Sequence, residues 1–483
     1  MKRFLPVFTL LVLLFVGISC NKDENNFPDE IEIQNFIWKG LNAYYFWQQD
    51  VENLADNRFS SQTELNTFLE DYSEPQDLFY NTLLNNYPTT DKYSWIVDDY
   101  VALELQLQQG ISGTTGAEFG LVPETGSLTD VYGYIKYVIP GSDAASKNIQ
   151  RGDIFHAVNG TELTRDNYRQ LLFSSTISSY TLNLADYNGG NPTDNGQSVS
   201  LTKTEIQENP IFITSTFDVM GKKIGYLMYN GFTSVFDNEL NDAFATLKNE
   251  GITDLVLDLR YNPGGSVRTA TYLSSMVTGQ FTGELFTQEK WNDKWQNYFE
   301  QNNPSRLNNN FVDQIVGGSA INSLNLSDVV ILTTGGSASA SELVINGLNP
   351  YINVTTIGTK TEGKYVASIT LYDSDNYGRD GANPNHTWAM QPIVLEEQNK
   401  LGENDQDGFD PTIEFPEDRN NLGVLGEVTE PLLERAIVFI TTGSKMSPTN
   451  TTIGFDTVEL TNSKKHTLVG SNMYVDKELF VID

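Results

Sequence analysis

From Lys222 onward the chain alternates apolar runs of strand length with stretches whose apolar residues recur at helical spacing, and this alternation limits the fold more than any other feature. Lys222 to Tyr229 is one such run. Leu240, Ala243, Phe244 and Leu247 follow at i, i+3, i+4 and i+7, the apolar face of a helix. Asp254 to Arg260 (DLVLDLR) reads as the next strand and ends in Asn262-Pro263-Gly264-Gly265, with a helix expected from Ser266. Val329 to Thr333 is a fully apolar strand, Ala340 to Leu348 a helix, and a last helical stretch covers about Glu430 to Ile440. Strands joined by crossover helices imply a largely parallel sheet with helices outside it.

A chain of 483 residues exceeds one hydrophobic core, so further units are expected. Between Ile31 and about Tyr87, Ile33, Phe36, Ile37, Leu41, Tyr44, Tyr45 and Trp47 recur at helical spacing before Pro88 breaks the pattern. Residues 31–100 therefore read as a small helical N-terminal domain. Residues 101–205 alternate short β-type runs with Gly and Asp turns, as in YGYIKYVIPG and YTLNLADYNGG. Residues 206–445 form the α/β unit, and 446–483 are expected to be a β-rich extension or a tail.

The formal net charge of -33 argues against nucleic acid and against a polybasic membrane contact, because both need clustered Lys and Arg. The opening residues set the expected compartment. Lys2 and Arg3 precede an apolar stretch, Phe4 to Ser19, too short for a spanning helix and suited to a secretory signal over 1–19. The single cysteine, Cys20, follows Gly17-Ile18-Ser19 and has no cysteine to pair with. The stretch VGISC resembles a bacterial lipobox, which implies lipidation at Cys20. Residues 20–30 then read as a tether, and Asn21-Lys22-Asp23-Glu24 resembles the export signal of surface lipoproteins. The expectation is an outer-membrane lipoprotein, facing the periplasm or the cell surface, anchored through its N-terminal lipid.

Three features of the α/β part carry chemistry. Gly336 to Glu342 (GSASASE) sits at a strand-to-helix junction, where free N–H groups and the helix dipole favour developing negative charge. Residue types alone do not separate a nucleophile from N-capping serines, nor choose among Ser337, Ser339 and Ser341. Lys364, in KTEGKYVAS, serves as a base only when neutral, which needs burial to bring its pKa down from about 10.4. In YNPGG, Gly264 and Gly265 allow close approach of backbone to a ligand, and their N–H groups suit half of an oxyanion hole.

DLRYNPGG, GSASASEL and GTKTEGK, in that order, resemble the tail-specific, or C-terminal-processing, serine peptidases, and the resemblance covers roughly residues 100–440. It implies a multidomain α/β protein whose catalytic domain is a spiral α/β fold of the protease–crotonase type. It makes Ser339 the nucleophile and Lys364 the base, with Gly264, Gly265 and Ala340 supplying oxyanion N–H groups, and it implies polypeptide substrates and no cofactor or metal. The stretches EFGL at 118–121 and YVIPGSDAASKNIQRGDIFHAVNG at 137–160 resemble a PDZ domain. That resemblance implies a loop at Phe119, Gly120 and Leu121 that presents N–H groups to a peptide C-terminus, with the peptide adding as a strand.

Two positions depart from the family. Ser368 stands where a glutamine usually orients the lysine, so its hydroxyl is the expected replacement. Glu362 would share a strand face with Lys364 and raise its pKa. These departures motivate an alternative, a peptide-binding lipoprotein of the same fold with weak or no turnover. The three histidines, His156, His386 and His466, are scattered, which disfavours a Ser-His-Asp triad. The acidic turn at Asp373 lacks the bidentate glutamate of a calcium loop, because Pro384 stands there.

Overall fold

The computed structural model describes residues 27–445, 458–467, 470 and 473–477. The expected leader, Cys20 and most of the tether lie outside the described residues.

The helix Glu32–Tyr44 turns Phe36, Ile37, Leu41 and Tyr44 inward, and these side chains join the same core as the α/β unit. Tyr44 stacks on Trp295 with ring centres 4.9 Å apart. The N-terminal helical region thus has no separate core. Aromatic residues alone could not show whether its stripe would face inward or face a neighbour.

The next unit is an antiparallel sheet. Its strand β1 (Ala117–Pro123) lies beside Val131–Val138, followed in order by Ile154–Val158, Ser179–Asp186 and Thr193–Thr202. Phe119, Leu121, Ile135, Phe155 and Leu182 form a core of its own. Phe119, Gly120 and Leu121 sit within β1 and not in a loop, which corrects the expectation of a carboxylate-binding loop there. The run EFGLV pairs along its length with Val131–Val138, which commits alternate N–H groups and leaves the others on the opposite edge of the strand.

The α/β unit is built on β2 (Lys222–Tyr229) and β3 (Asp254–Asp258). After β3 come a short strand β4 (Gly265–Ser266), then β5 (Asp328–Thr333) and β6 (Asn353–Gly358). The sheet order is Ile211–Val219, β2, β3, β5, β6 and Ile413–Glu414, parallel from β2 on. Side chains alternate between its two faces. Ile224, Tyr226 and Met228 of β2 meet Leu432, Leu433 and Ala436 of the helix Pro431–Thr442. Leu227 and Tyr229 meet Leu240, Phe244, Leu273 and Val344 from the helices on the other side. Both faces are therefore dry, which is why these strands read as continuous apolar runs. Each fully buried side chain of this kind contributes about 1.5–3 kcal/mol.

A second sheet, not foreseen from the sequence, runs alongside. Its order is β4, the C-terminal strand Met473–Tyr474, β7 (Val366–Ser368), Ile393–Asn399, Leu285–Trp291 and Asn308–Asn310. Two C-terminal strands complete the fold: β8 (Thr461–Asn462) pairs with β1, and β9 (Met473–Tyr474) lies between β4 and β7.

Candidate active site

The loop after β5 delivers Ser339 to the N-terminus of the helix Ala340–Leu348. Ser339 has φ 65° and ψ -117°, a region L-residues rarely occupy and one that persists only where the surroundings impose it. Its neighbours are committed elsewhere. Ser337 Oγ donates to the Leu259 carbonyl at 2.8 Å, and Ser341 Oγ donates to the Asn262 carbonyl at 3.0 Å. Ser339 Oγ is buried with no hydrogen-bond partner. The geometry thus separates three serines that residue type could not. Ala340 opens the helix, so its N–H is one of the first-turn groups without an intrahelical acceptor.

Glu342 ties the serine loop to the lysine loop. Its Oε2 accepts from Ser339 N–H at 2.7 Å and from Lys364 N–H at 2.9 Å. Its Oε1 accepts from Gly363 N–H at 2.7 Å and from Thr361 Oγ1 at 2.5 Å. Burial pushes this carboxyl up from the usual range, against the four hydrogen bonds that favour its charged form.

Lys364 is 1% exposed. Burial brings its amine down to about 7, overcoming the opposing pull of Asp91, Glu342 and Glu362. Glu362 does pull the lysine upward, as expected from the sequence, but burial outweighs it. Residues 359–365 are not a strand, so the shared-face argument does not apply. Glu362 instead accepts from Lys465 Nζ at 2.7 Å. On the other side, the Lys364 ammonium lies 4.7 Å from the centre of the Tyr93 ring.

Ser339 and Lys364 line one cavity of about 10 Å3, together with Glu342, Tyr365, Phe409 and Met473. Ser368 sits on β7, where its hydroxyl donates to Gln391 Oε1 at 2.6 Å and to the Met473 carbonyl at 3.2 Å. Gln391, on the strand Ala389–Gln391, is fully buried and donates its amide to Thr370 Oγ1 at 2.5 Å.

Arg260, just beyond β3, fixes the approach to the glycine pair. It is fully buried and bonded to Asp258 at 2.8 Å and Glu430 at 2.6 Å. In the turn itself, Gly264 N–H donates to Asn262 Oδ1 at 2.9 Å, and Gly265 pairs with Met473. Gly264 has φ 109° and Gly265 φ 137°. A Cβ on Gly265 would meet the Phe232 carbonyl oxygen at 2.3 Å, so only glycine fits there. The pair lines a larger cavity of about 340 Å3, shared with Phe119, Phe173 and Lys464. Ala338 N–H donates to the Asn262 carbonyl at 3.2 Å, which joins the glycine loop to the serine loop.

The sequence reading missed Tyr93, Asp91, Gln391 and Met473. Each comes from an element far from the serine in the chain, and none carries a local motif. The histidines stand apart from Ser339: His386 Nε2 lies 3.1 Å from Asp373, and His466 stacks on Phe173 at 3.8 Å. Among the described residues no group of three or more His, Cys, Asp or Glu is placed to hold a metal ion.

Residues 223–377 match peptidase family S41, and residues 32–95 match the peptidase S41 N-terminal domain. A carboxyl-terminal-processing peptidase 3 of Arabidopsis thaliana chloroplasts is 26% identical over 257 residues, which is 51% of this chain and 45% of that protein. The chain thus spans less than half of that relative. A carboxyl-terminal-processing protease of Picosynechococcus is 24% identical over 71% of this chain and 74% of its own length. The crystal structure of a putative S41 protease from Bacteroides fragilis superposes with a TM-score of 0.61 and 26% identity, covering 85% of this chain and 97% of that one. Residues 223–377 are thus similar to the peptidase S41 domain and residues 32–95 to its N-terminal domain, and Ser339 and Lys364, both within the first match, line one cavity.

Proposed function

We propose that the chain is a serine endopeptidase that hydrolyses polypeptides by acyl-enzyme chemistry, and that it recognises them through their C-termini. The observation that carries this reading is the strained, buried Ser339, whose Oγ is uncommitted and shares a cavity with a lysine held near neutrality. Ser339 Oγ attacks the peptide carbonyl while neutral Lys364 takes its proton. The tetrahedral oxyanion forms at the helix N-terminus, where Ala340 N–H and the Gly265 backbone are the candidate donors. Lys364 returns the proton to the departing amine, and water then repeats the cycle on the acyl-enzyme. Glu342 keeps the two reacting segments in register without touching the substrate. The β1 sheet supplies the edge for substrate recognition.

The test is cleavage of β-casein by the parent and by Ser339→Ala and Lys364→Ala variants. Cleavage by the parent alone is expected. A Ser339→Ala protein that degrades casein as fast as the parent would sink the mechanism. For location, we propose attachment to the outer membrane through lipid on Cys20. Cys20→Ala should move the protein from the membrane fraction to the soluble fraction, and unchanged fractionation would remove the anchor.

A further inference from the structure

Ser339 and Lys364 are buried in the structure, at 0% and 1% exposure, and their shared cavity has room for about one water molecule. A peptide bond reaches Ser339 only if something moves. Met473, on β9, lines that cavity and is itself 1% exposed. β9 fills the slot between β4, which carries Gly265, and β7, which follows Lys364. It is held there as an added strand: Val475 N–H donates to the Ser368 carbonyl at 3.1 Å, and the Met473 carbonyl accepts from Ser368 Oγ.

The same C-terminal segment holds the sheet edge expected to receive a peptide. β8 runs antiparallel to β1, with Thr461 opposite Leu121 and Asn462 opposite Gly120. Leu460 N–H donates to the Leu121 carbonyl at 2.8 Å, and Ser463 N–H to the Phe119 carbonyl at 2.9 Å.

Charged groups fix both ends. Glu459 accepts from Tyr134 at 2.7 Å and pairs with Lys136 at 2.8 Å. Lys465 pairs with Glu362, beside the active lysine. Asp476 accepts from Ser266 Oγ, next to Gly265. Lys477 pairs with Glu289 at 2.5 Å, and Glu289 is fully buried.

Building on the peptidase reading above, we infer that residues 459–467 and 473–477 are an intramolecular peptide ligand, occupying as added strands the β1 edge and the cleft at Ser339, and that they must leave for an outside polypeptide to enter. The occupant also describes the channel. It accepts an extended chain with an apolar residue at the Ser339 cavity, an acidic residue three positions later at Ser266, and a cation next to that at Glu289. An internal strand of this kind is present at high effective concentration, so an outside peptide competes poorly until the strand is loosened.

The test uses the full chain carrying Glu459→Ala, Lys465→Glu and Lys477→Glu together, all of them outside the catalytic machinery. A fluorescein-labelled synthetic peptide of residues 458–477 is the probe, read by anisotropy in a Ser339→Ala background so that no cleavage contributes. The peptide is expected to bind the loosened chain at least tenfold more tightly than the chain with the native segment. With Ser339 restored, the loosened chain should cleave β-casein at least fivefold faster, and added peptide should inhibit it. Equal peptide binding by both chains, or none by either, with equal cleavage rates, would overturn the inference. Peptide binding to the loosened chain without proteolysis by any version would keep the ligand and remove the peptidase reading. Ser339-dependent proteolysis at equal rates without peptide binding would do the reverse.

Discussion

The Lys364 ammonium faces the Tyr93 ring at 4.7 Å, so a residue of the N-terminal helical region forms part of the lysine's pocket. Tyr93 is held by its own neighbourhood: its N–H donates to Asp91 Oδ1 at 3.0 Å, and Asp91 Oδ2 accepts from Tyr45 at 2.8 Å. The ring face favours the charged amine, as does Asp91, yet burial outweighs both. The N-terminal region is in this way part of the candidate site, which gives a physical reason for it to accompany the peptidase domain.

The base must be neutral to act, so kcat/KM should rise with pH through about 7 and level off above it, following the lysine. Rates measured between pH 5 and 9 on a peptide without ionisable side chains test this. A flat profile across that range would separate Lys364 from the proton transfer.

Asp91 raises the Lys364 pKa through its charge. Asp91→Asn should therefore move the acidic limb of the same profile to lower pH, by about half a unit or more, because a surviving charge-charge interaction in a buried site is worth about a kcal/mol. The direction is the check: a shift to higher pH contradicts the assignment.

Keeping Lys364 neutral near pH 7 costs stability. Its folded value of about 7 lies below the unfolded value, so the unfolded chain binds the extra proton between about pH 7 and 10. Stability should rise with pH across that window. Lys364→Met should abolish cleavage, stabilise the fold at pH 7 by on the order of 2–4 kcal/mol, and flatten this dependence. Urea denaturation at pH 7 and pH 9 reads all of it.

Glu342→Gln leaves one oxygen to serve four donors and turns an amide NH2 toward the rest. The expected loss is about 2–4 kcal/mol of stability and at least roughly tenfold in kcat, with KM little changed, because Glu342 positions the reacting groups and does not hold substrate. A pure KM effect would place Glu342 in substrate binding instead.

Much of the α/β architecture was legible because it rests on local signals. The run Lys222 to Tyr229 and the face Leu240, Ala243, Phe244 and Leu247 each declare their element through periodicity alone. The motifs that hold Ser339, Lys364 and Gly265 stood out by their order, but residue chemistry did not choose Ser339 over Ser337 and Ser341; the family resemblance did. What stayed hidden is contact between distant segments. Nothing near Gln391 shows that β7 would bring Ser368 against it, and nothing near Met473 shows that it would reach the cavity of Ser339. Glu362 raises the lysine as its charge suggested, but from a loop and not a shared strand face, with Lys465 paired to it and burial setting the net direction. The Phe119 segment failed because strand pairing on both sides leaves no loop to cup a carboxylate.

The central claim is that Ser339 is the nucleophile and Lys364 its base. The most direct measurement is reaction of the full chain with a fluorophosphonate probe, followed by peptide mapping in a mass spectrometer, beside the Lys364→Ala variant. The account predicts a single adduct on Ser339 in the parent and at least a hundredfold slower labelling in Lys364→Ala. An adduct on another serine, or equal labelling of Ser339 in both proteins, would contradict it.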